Sequence, residues 1–260
     1  MTETAGLGNI IFFALIIGTE VLTGIILTIR RIKSKTKNLE FLAGYCIGAA
    51  VVTVLFSIES ASLLRDVAFI ISIFLAQYLL LVFANRMFFV GKKSPFLIFF
   101  LTLLGGTIAY LISIALYPAP RLWQMSFINS IPIGIVISIP GFWFGPLIIK
   151  QYKKIKNEEI ETWIKMRFLI AGIGAILEGT IGWLGFLIAT SDIPGVDPTG
   201  ILYTLTLLLY AVILIVFSIG FFIAWVMPNS MKRFFNRNYI APEESELSEE
   251  DIMMQMKGGE

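Results

Sequence analysis

The sequence predicts an all-α integral membrane protein, a bundle of seven transmembrane helices with its N-terminus outside and its C-terminus in the cytoplasm. Three observations support this prediction: the apolar composition, the spacing of long apolar runs and the uneven placement of basic residues. Of the 260 residues, 57% are hydrophobic and 15% are charged, and the mean hydropathy is +0.85. This composition leaves too little polar surface to cover a water-soluble domain.

Apolar runs of about 20 residues, the length that crosses a hydrocarbon core of roughly 30 Å, are separated by charged residues, Pro or Asn. We place the seven spans at about 7–29, 39–58, 67–85, 96–117, 129–149, 168–190 and 201–227. They form a transmembrane domain over residues 1–235. The remaining residues, 236–260, are predicted to be an acidic, disordered cytoplasmic tail, so we expect no soluble catalytic domain.

Basic residues divide the loops into two classes, and this division predicts the orientation. The loops after the first, third, fifth and seventh spans hold 17 of the 20 Lys and Arg residues, whereas the opposite loops hold only Arg65 and Arg121. Because basic residues near the ends of a span are retained in the cytoplasm, the first group of loops is predicted to be cytoplasmic. The cations are spread over four loops, so the net charge of +2 does not indicate a nucleic-acid partner.

The chain has no histidine and one cysteine, Cys46, which falls in the second predicted span. The lack of histidine argues against most zinc and haem sites and against Ser-His-Asp and Cys-His catalysis. The seventh span, 201–227, contains no lysine that could form a retinal Schiff base. We therefore expect no metal site and no cofactor, and we expect that the protein is not an enzyme.

Glu178 lies near the middle of the sixth span. The residues on the same helix face are mostly small, which is typical of helix contacts in membranes. They are Ala171, Gly174, Ala175, Ile181, Gly182 and Gly185. The opposite face is aliphatic and is expected to contact lipid; it consists of Ile173, Ile176, Leu177, Leu184 and Leu187. Glu178 is thus predicted to point into the bundle.

Counting residues along the spans places other polar side chains at the depth of Glu178. From Arg167 to Glu178 the helix rises about 16 Å at roughly 1.5 Å per residue. The same count from the cytoplasmic end of each span places Glu20, Gln77 and Ser218 in the same layer. Two carboxyl groups, an amide and a hydroxyl are therefore predicted to share one plane of the membrane.

This polar layer has two interpretations, and the sequence leaves both open. Burying a charged carboxylate is costly unless a cation or hydrogen bonds compensate it, and no Lys or Arg lies at this depth. In the functional interpretation, Glu20 and Glu178 form a protonatable or cation-binding site, with Gln77 and Ser218 as neutral ligands. In the structural interpretation, protonated glutamates bind neighbouring helices and only stabilise packing.

The fifth span contains Pro132, Pro140 and Pro146. Proline removes a backbone hydrogen bond and clashes with the preceding turn, so this helix is expected to bend or break. These three positions are predicted to form a hinge.

Two cytoplasmic segments are candidates for contact with a partner protein. In the loop over residues 150–167, Glu161 and Lys165 have the i,i+4 spacing that supports a helix, which would be an extension of the sixth helix, an interfacial helix or a solvated linker. The tail has six acids between Glu243 and Asp251 and is expected either to fold on a partner or to remain solvated. The basic stretch before it suits anionic lipid headgroups.

Several features together resemble the seven-helix N-terminal sensor region of many prokaryotic histidine kinases and related signalling proteins. They are the basic stretch after the first span, Glu59 at the outer end of the second, FANRMF with GKK at the end of the third, the outer turn IPGVDPTG, and the proline in WVMPNSMKRF. The resemblance covers residues 7–235. An acidic tail stands where a phosphoacceptor histidine and an ATP-binding domain would follow, so the chain is not expected to be a kinase.

The resemblance implies a stand-alone, receptor-like sensor in a prokaryotic cell membrane, whose 150–167 loop and tail contact a separate cytoplasmic effector. A ligand would arrive from outside or from the bilayer. The outer mouth would then be lined by Arg121, Trp123, Asp192 and Asp197. Trp123 is also a typical interfacial anchor, and both aspartates suit turns beside proline.

A second hypothesis is a small ion- or proton-coupled transporter that uses Glu20, Gln77 and Glu178, with the proline-rich fifth helix as its moving part. A lipid-modifying enzyme is the least supported alternative, because the sequence has no metal-binding cluster and no nucleophile paired with a base.

Overall fold

A computed structural model describes residues 2–34, 38–58, 62–116, 123–189, 201–237 and 239. Within these ranges the chain is helical, without strands, which confirms the all-α prediction. The helices are α1 (Thr2–Ser34), α2 (Leu39–Ser57), α3 (Leu63–Phe88), α4 (Phe96–Leu116), α5 (Trp123–Ile155), α6 (Thr162–Ala189), α7 (Ile201–Val226) and α8 (Asn229–Phe235).

Six of the described helices are long and apolar enough to cross a membrane. The apolar segments are Ile11–Lys33, Leu39–Ser57, Leu63–Phe88, Phe96–Leu116, Ser130–Ile155 and Leu208–Val226. They make the chain a multi-pass integral membrane protein. The helix that carries Glu178, α6, is not among the six.

Helices α1, α5 and α6 are longer than the predicted spans. The extra turns are rich in Lys, Arg, Met and Gln, which are good helix formers, so the helices continue past the apolar segment. A span prediction based on hydropathy measures the apolar segment and misses these polar turns.

The seven long helices form a closed ring. Each packs against the next in the chain, and α7 packs against α1. Helix α3 also contacts α5, which leaves α4 at the periphery, where Leu97, Ile98 and Leu101 are exposed. We call the end at which α1, α3, α5 and α7 begin the amino-terminal end of the bundle, and the opposite end the carboxyl-terminal end.

The packing of α5 against α6 depends on glycine. A Cβ atom on Gly141 would lie 2.5 Å from the Ala175 carbonyl oxygen and 2.6 Å from the Gly179 nitrogen, and one on Gly182 would lie 2.5 Å from the Gly134 carbonyl oxygen. The two backbones therefore touch directly, as small residues permit in membrane helices.

The three prolines do not interrupt α5, which is continuous from Trp123 to Ile155. From its sequence this helix was expected either to bend or to break, and the prediction of a break is therefore wrong. Membrane helices tolerate proline where neighbouring helices surround the freed backbone groups, and α5 contacts α3, α4 and α6.

The loop between α5 and α6, which was predicted to be helical, is only partly helical. Residues 156–161 form turns, and α6 begins at Thr162. The predicted Glu161–Lys165 contact is absent, because Lys165 Nζ instead donates to the carbonyl oxygens of Lys156 (3.1 Å) and Glu158 (2.5 Å), while Glu161 accepts from the Trp163 indole N–H. Glu161 lies before the first residue of α6, so the pair does not have helical i,i+4 geometry, and Lys165 bonds the carbonyl oxygens of the turn instead.

Helix α6 was predicted to bury its small face and to expose its aliphatic face to lipid. The first prediction is confirmed for the described residues, and the second is only partly right. The small face with Glu178 is buried, including Ala171, Ala175 and Ile181, and Ile173 opposite is exposed. Leu184, however, is buried, and Trp183 is exposed instead. Because α6 lies between α5 and α7, more of its circumference is covered than a helix with a single lipid face would have.

Glycine packing gives the first prediction. Replacing Gly141 with Ala should lower the free energy of unfolding by about 1–3 kcal/mol, because the added methyl group meets backbone atoms that cannot rotate away. Unfolding of the purified protein in mixed micelles measures this change.

Gly105→Ala is the matched control, since a Cβ atom there meets nothing within 4 Å. It should leave the stability unchanged or slightly higher, because alanine favours the helix. Equal losses in both variants would contradict the close α5–α6 packing.

Candidate functional site

A cavity of about 250 Å³ lies inside the ring of helices. Its lining comes from α1, α2, α3, α5, α6 and α7. Phe13, Phe56 and Ser130 lie near the amino-terminal end of the bundle, and Glu20, Gln77 and Glu178 lie near its middle. The cavity therefore runs from mid-bundle toward the amino-terminal end.

Glu178 is the centre of the polar floor of this cavity. The Tyr45 hydroxyl donates to Glu178 Oε1 over 2.5 Å, and Gln77 Nε2 donates to the same oxygen over 2.8 Å. All three side chains are buried, and they come from α2, α3 and α6. One carboxyl oxygen thus ties three helices together, and these hydrogen bonds offset part of the cost of burying it.

Glu20 lines the same cavity from α1 and has a separate partner. Thr53 Oγ1 lies 3.2 Å from Glu20 Oε2 and 3.0 Å from the Ala49 carbonyl oxygen, so its single proton is shared between two acceptors. Each carboxyl group of the floor is therefore held by a hydroxyl from α2.

Ser218 lies beside Glu20 at a second, much smaller void of about 10 Å³, whose lining also includes Thr23 and Tyr45. This volume is close to the minimum that one water molecule needs. The structure thus brings the four residues of the predicted polar layer close together. Gln77 bonds Glu178, both line the cavity with Glu20, and Ser218 lines the smaller void with Glu20.

Four buried oxygens of this region have no hydrogen-bond partner among the described residues. They are Glu178 Oε2, Gln77 Oε1, Ser138 Oγ and Ser218 Oγ. Two of them belong to the floor of the cavity. Buried polar atoms are normally paired, so these four unpaired oxygens set the region apart from the rest of the described interior.

The predicted outer-mouth residues are not placed by the structure. Arg121, Asp192 and Asp197 lie outside the described residues, and of Trp123 only the backbone, at the start of α5, is described. The acidic tail beyond Tyr239 also lies outside them.

Tyr45 and Thr53 bond the two carboxyl groups of the site, but counting residues from the end of each predicted span did not identify them. Tyr45 is only two turns into α2, and its long side chain carries the hydroxyl to the layer, whereas the count follows backbone positions. The available signal is its residue type, since a buried tyrosine usually has a hydrogen-bond partner for its hydroxyl. Its ring also packs against Phe221, 5.6 Å between centroids.

Comparisons of the chain with protein-family models, with curated proteins and with solved structures find no match. Function must therefore be inferred from the site itself.

Tyr45 gives the second prediction. Tyr45→Phe removes one of the two donors to Glu178 and should shift the infrared carboxyl band of that residue, with a loss of about 1 kcal/mol in unfolding free energy. Difference spectra against Glu178→Gln assign the band.

Tyr78→Phe is the control, because the Tyr78 ring stacks on Phe74 with centroids 6.2 Å apart and the substitution preserves that packing. The Glu178 band should not move in this variant. If the Glu178 band also stays in place in Tyr45→Phe, the hydrogen bond from Tyr45 to Glu178 is contradicted.

Proposed function

We propose that the protein is a stand-alone, receptor-like membrane sensor, which binds a small ligand in the central cavity and signals to a separate cytoplasmic partner. The observation that carries this proposal is the cavity of about 250 Å³, whose lining combines two carboxyl groups with aromatic side chains. Its volume is slightly below the usual range of about 300–1,000 Å³ for small-molecule sites. The proposed role is binding and transmission, without catalysis.

In this proposal α6 also crosses the membrane, which brings the number of spans from six to seven. The N-terminus is outside, and the membrane is that of a prokaryotic cell. The length of α6, 28 residues, and its packing between α5 and α7 support the first part. The orientation is supported by the basic residues Arg30, Arg86 and Arg167, which all lie toward the carboxyl-terminal end. The prokaryotic source is supported only by the resemblance described above.

The packing below the cavity favours transmission of a signal over passage of a solute. Toward the carboxyl-terminal end the bundle is filled by aromatic and aliphatic side chains. Phe83 packs edge-on against Phe144 and Trp225, at centroid distances of 5.7 and 5.4 Å, and Leu80 beside them is fully buried. A solute would have to displace this packing to cross.

The two helices that carry the carboxyl groups also hold the end of α7. From α1, Arg30 donates to the carbonyl oxygens of Trp225 (2.8 Å) and Val226 (2.6 Å), and from α6, the Arg167 guanidinium lies 5.1 Å from the Trp225 ring centroid. Met227 follows with φ 41°, a conformation that is costly for a residue other than glycine. We propose that a shift of α1 or α6 at the cavity reaches this junction through these contacts.

Helix α8 and the residues after it lie against the start of α6. The Trp163 backbone N–H donates to Asn236 Oδ1 over 3.1 Å, and Lys232 Nζ lies 4.0 Å from the Trp163 ring centroid. The Tyr239 hydroxyl donates to the Glu159 carbonyl oxygen over 3.4 Å. We propose that this surface, with the 150–167 loop and the tail, contacts the cytoplasmic effector.

Transmission gives the third prediction. Spin labels at Lys153→Cys and Phe234→Cys, both exposed positions, in a Cys46→Ser background measure the separation of α5 and α8. Glu178→Gln should shift their distance by about 1–2 Å, the size of helix shifts in known switches, because it changes the hydrogen bonds of the floor.

Glu40→Gln is the control, since Glu40 is exposed and pairs with Arg31 over 2.8 Å away from the cavity. Arg30→Gln should remove the response to Glu178→Gln by releasing the end of α7. Distances that stay the same in every variant would count against the sensor.

The second candidate is a proton- or ion-coupled transporter, and the glycine contact between α5 and α6 favours it. The backbones of α5 and α6 touch at Gly141 and Gly182, so any movement of α6, which carries Glu178, acts directly on α5. Membrane-embedded glutamates are common in proton relays.

Flux gives the fourth prediction, which separates this candidate from the sensor. If the protein is a transporter, proteoliposomes loaded with a pH-sensitive dye should acidify after an acid pulse faster than empty liposomes, and Glu178→Gln should abolish the difference while Glu40→Gln preserves it. A rate equal to that of empty liposomes would reject proton transport.

A further inference from the structure

The floor of the cavity has an excess of hydrogen-bond acceptors. Tyr45 and Gln77 both donate to Glu178 Oε1, so the second oxygen of the same carboxyl group, Oε2, receives no donor from the described residues. The oxygen of the Gln77 amide is free in the same sense. Both residues line the cavity, but these two oxygens have almost no exposed surface, so they add to the negative potential of the floor without facing the cavity.

The cavity also lacks positive charge. Glu20 and Glu178 both line it, whereas its described lining contains no Lys or Arg. Arg30 is at the carboxyl-terminal end, bonded to the α7 carbonyls. A carboxylate in an apolar interior is stabilised strongly by an adjacent cation, so a cationic ligand gains more here than a neutral one.

The walls favour an organic cation over a metal ion. Six aromatic side chains line the cavity: Phe13, Tyr45, Phe56, Phe69, Tyr210 and Phe217. Aromatic faces attract ammonium groups and accept their apolar substituents. Among the described residues no cluster of three or more His, Cys, Asp or Glu is placed to hold a metal ion.

We propose that the cavity binds a small lipophilic ammonium compound, whose ammonium group pairs with the carboxyl groups of Glu178 and Glu20 and whose apolar part lies against the aromatic walls toward the amino-terminal end. This assignment of ligand chemistry rests on the ligand-binding function proposed above. Glu178 is ionised in the complex, so any proton that it carries beforehand leaves when the ammonium group binds.

The test uses three probes that share a phenyl ring and a short chain: 2-phenylethylamine, 2-phenylethanol and 3-phenylpropionate. Binding is measured by titration calorimetry with the full chain in phosphatidylcholine nanodiscs, whose headgroup has no N–H to compete. Empty nanodiscs correct for partition into lipid. We expect the amine to bind about tenfold or more tightly than the alcohol, and the anion to bind weakest, because a charge-assisted hydrogen bond exceeds a neutral one.

Two variants locate the binding. Glu178→Gln should weaken the amine about tenfold or more and change binding of the alcohol little, because it preserves the shape of the floor and removes its charge. Glu40→Gln, on the exposed start of α2, should behave like the parent protein. Thermal unfolding of each variant checks that the bundle is folded.

The proposal is overturned if the alcohol or the anion binds as tightly as the amine, if the amine shows no binding at millimolar concentration, or if its affinity is unchanged in folded Glu178→Gln. Failure of the sensor is a separate result. Amine binding that depends on Glu178 but leaves the α5–α8 spin-label distance unchanged would preserve the ligand assignment and reject transmission.

Discussion

The cost of burying the Glu178 carboxyl group is the constraint on which the rest of this bundle depends. An isolated carboxylate in hydrocarbon is so unfavourable that it must be protonated, hydrogen bonded or paired. The chain meets this requirement with donors from two other helices, Tyr45 on α2 and Gln77 on α3. Because both donors reach the same oxygen, the arrangement fixes the rotation of three helices and still leaves one carboxyl oxygen free. The same group thus stabilises packing and lines the cavity, so the structural and functional interpretations of the polar layer are compatible.

The polar floor and the carboxyl-terminal end are connected through rigid elements. Helix α1 carries Glu20 and Arg30, and α6 carries Glu178, Arg167 and Trp163. Both helices therefore touch the cavity in the middle of the bundle and the end of α7 or α8 at its carboxyl-terminal end. This is a physical connection, and a signal also requires two arrangements of comparable free energy. The backbone of Met227, whose φ of 41° is costly for a residue other than glycine, is one place where a second arrangement would relieve strain.

Prediction from the sequence succeeded where one physical term dominates. The apolar runs predicted where the long helices lie, since hydrocarbon excludes unpaired backbone groups and allows little else. The count of helical rise predicted one depth for Glu20, Gln77, Glu178 and Ser218, and in the structure Gln77 bonds Glu178 while both line the cavity with Glu20. Prediction from the sequence was wrong for the Glu161–Lys165 contact, where the lysine bonds carbonyl oxygens of a turn instead, for Leu184, which is buried, and for a break in α5. These outcomes depend on neighbours that are distant in the chain.

The sequence by itself determined that this is a helical membrane protein, where its apolar segments lie, and which ionisable groups share a plane inside it. Those properties follow from local composition and from the fixed geometry of one helix. Only the tertiary structure decided which polar groups meet, that Tyr45 and Thr53 join them, and that a cavity with aromatic walls lies above them. The physical reason is that helix order and rotation are set by the sum of many small packing contacts, such as glycine against glycine between α5 and α6, which no single segment of sequence specifies.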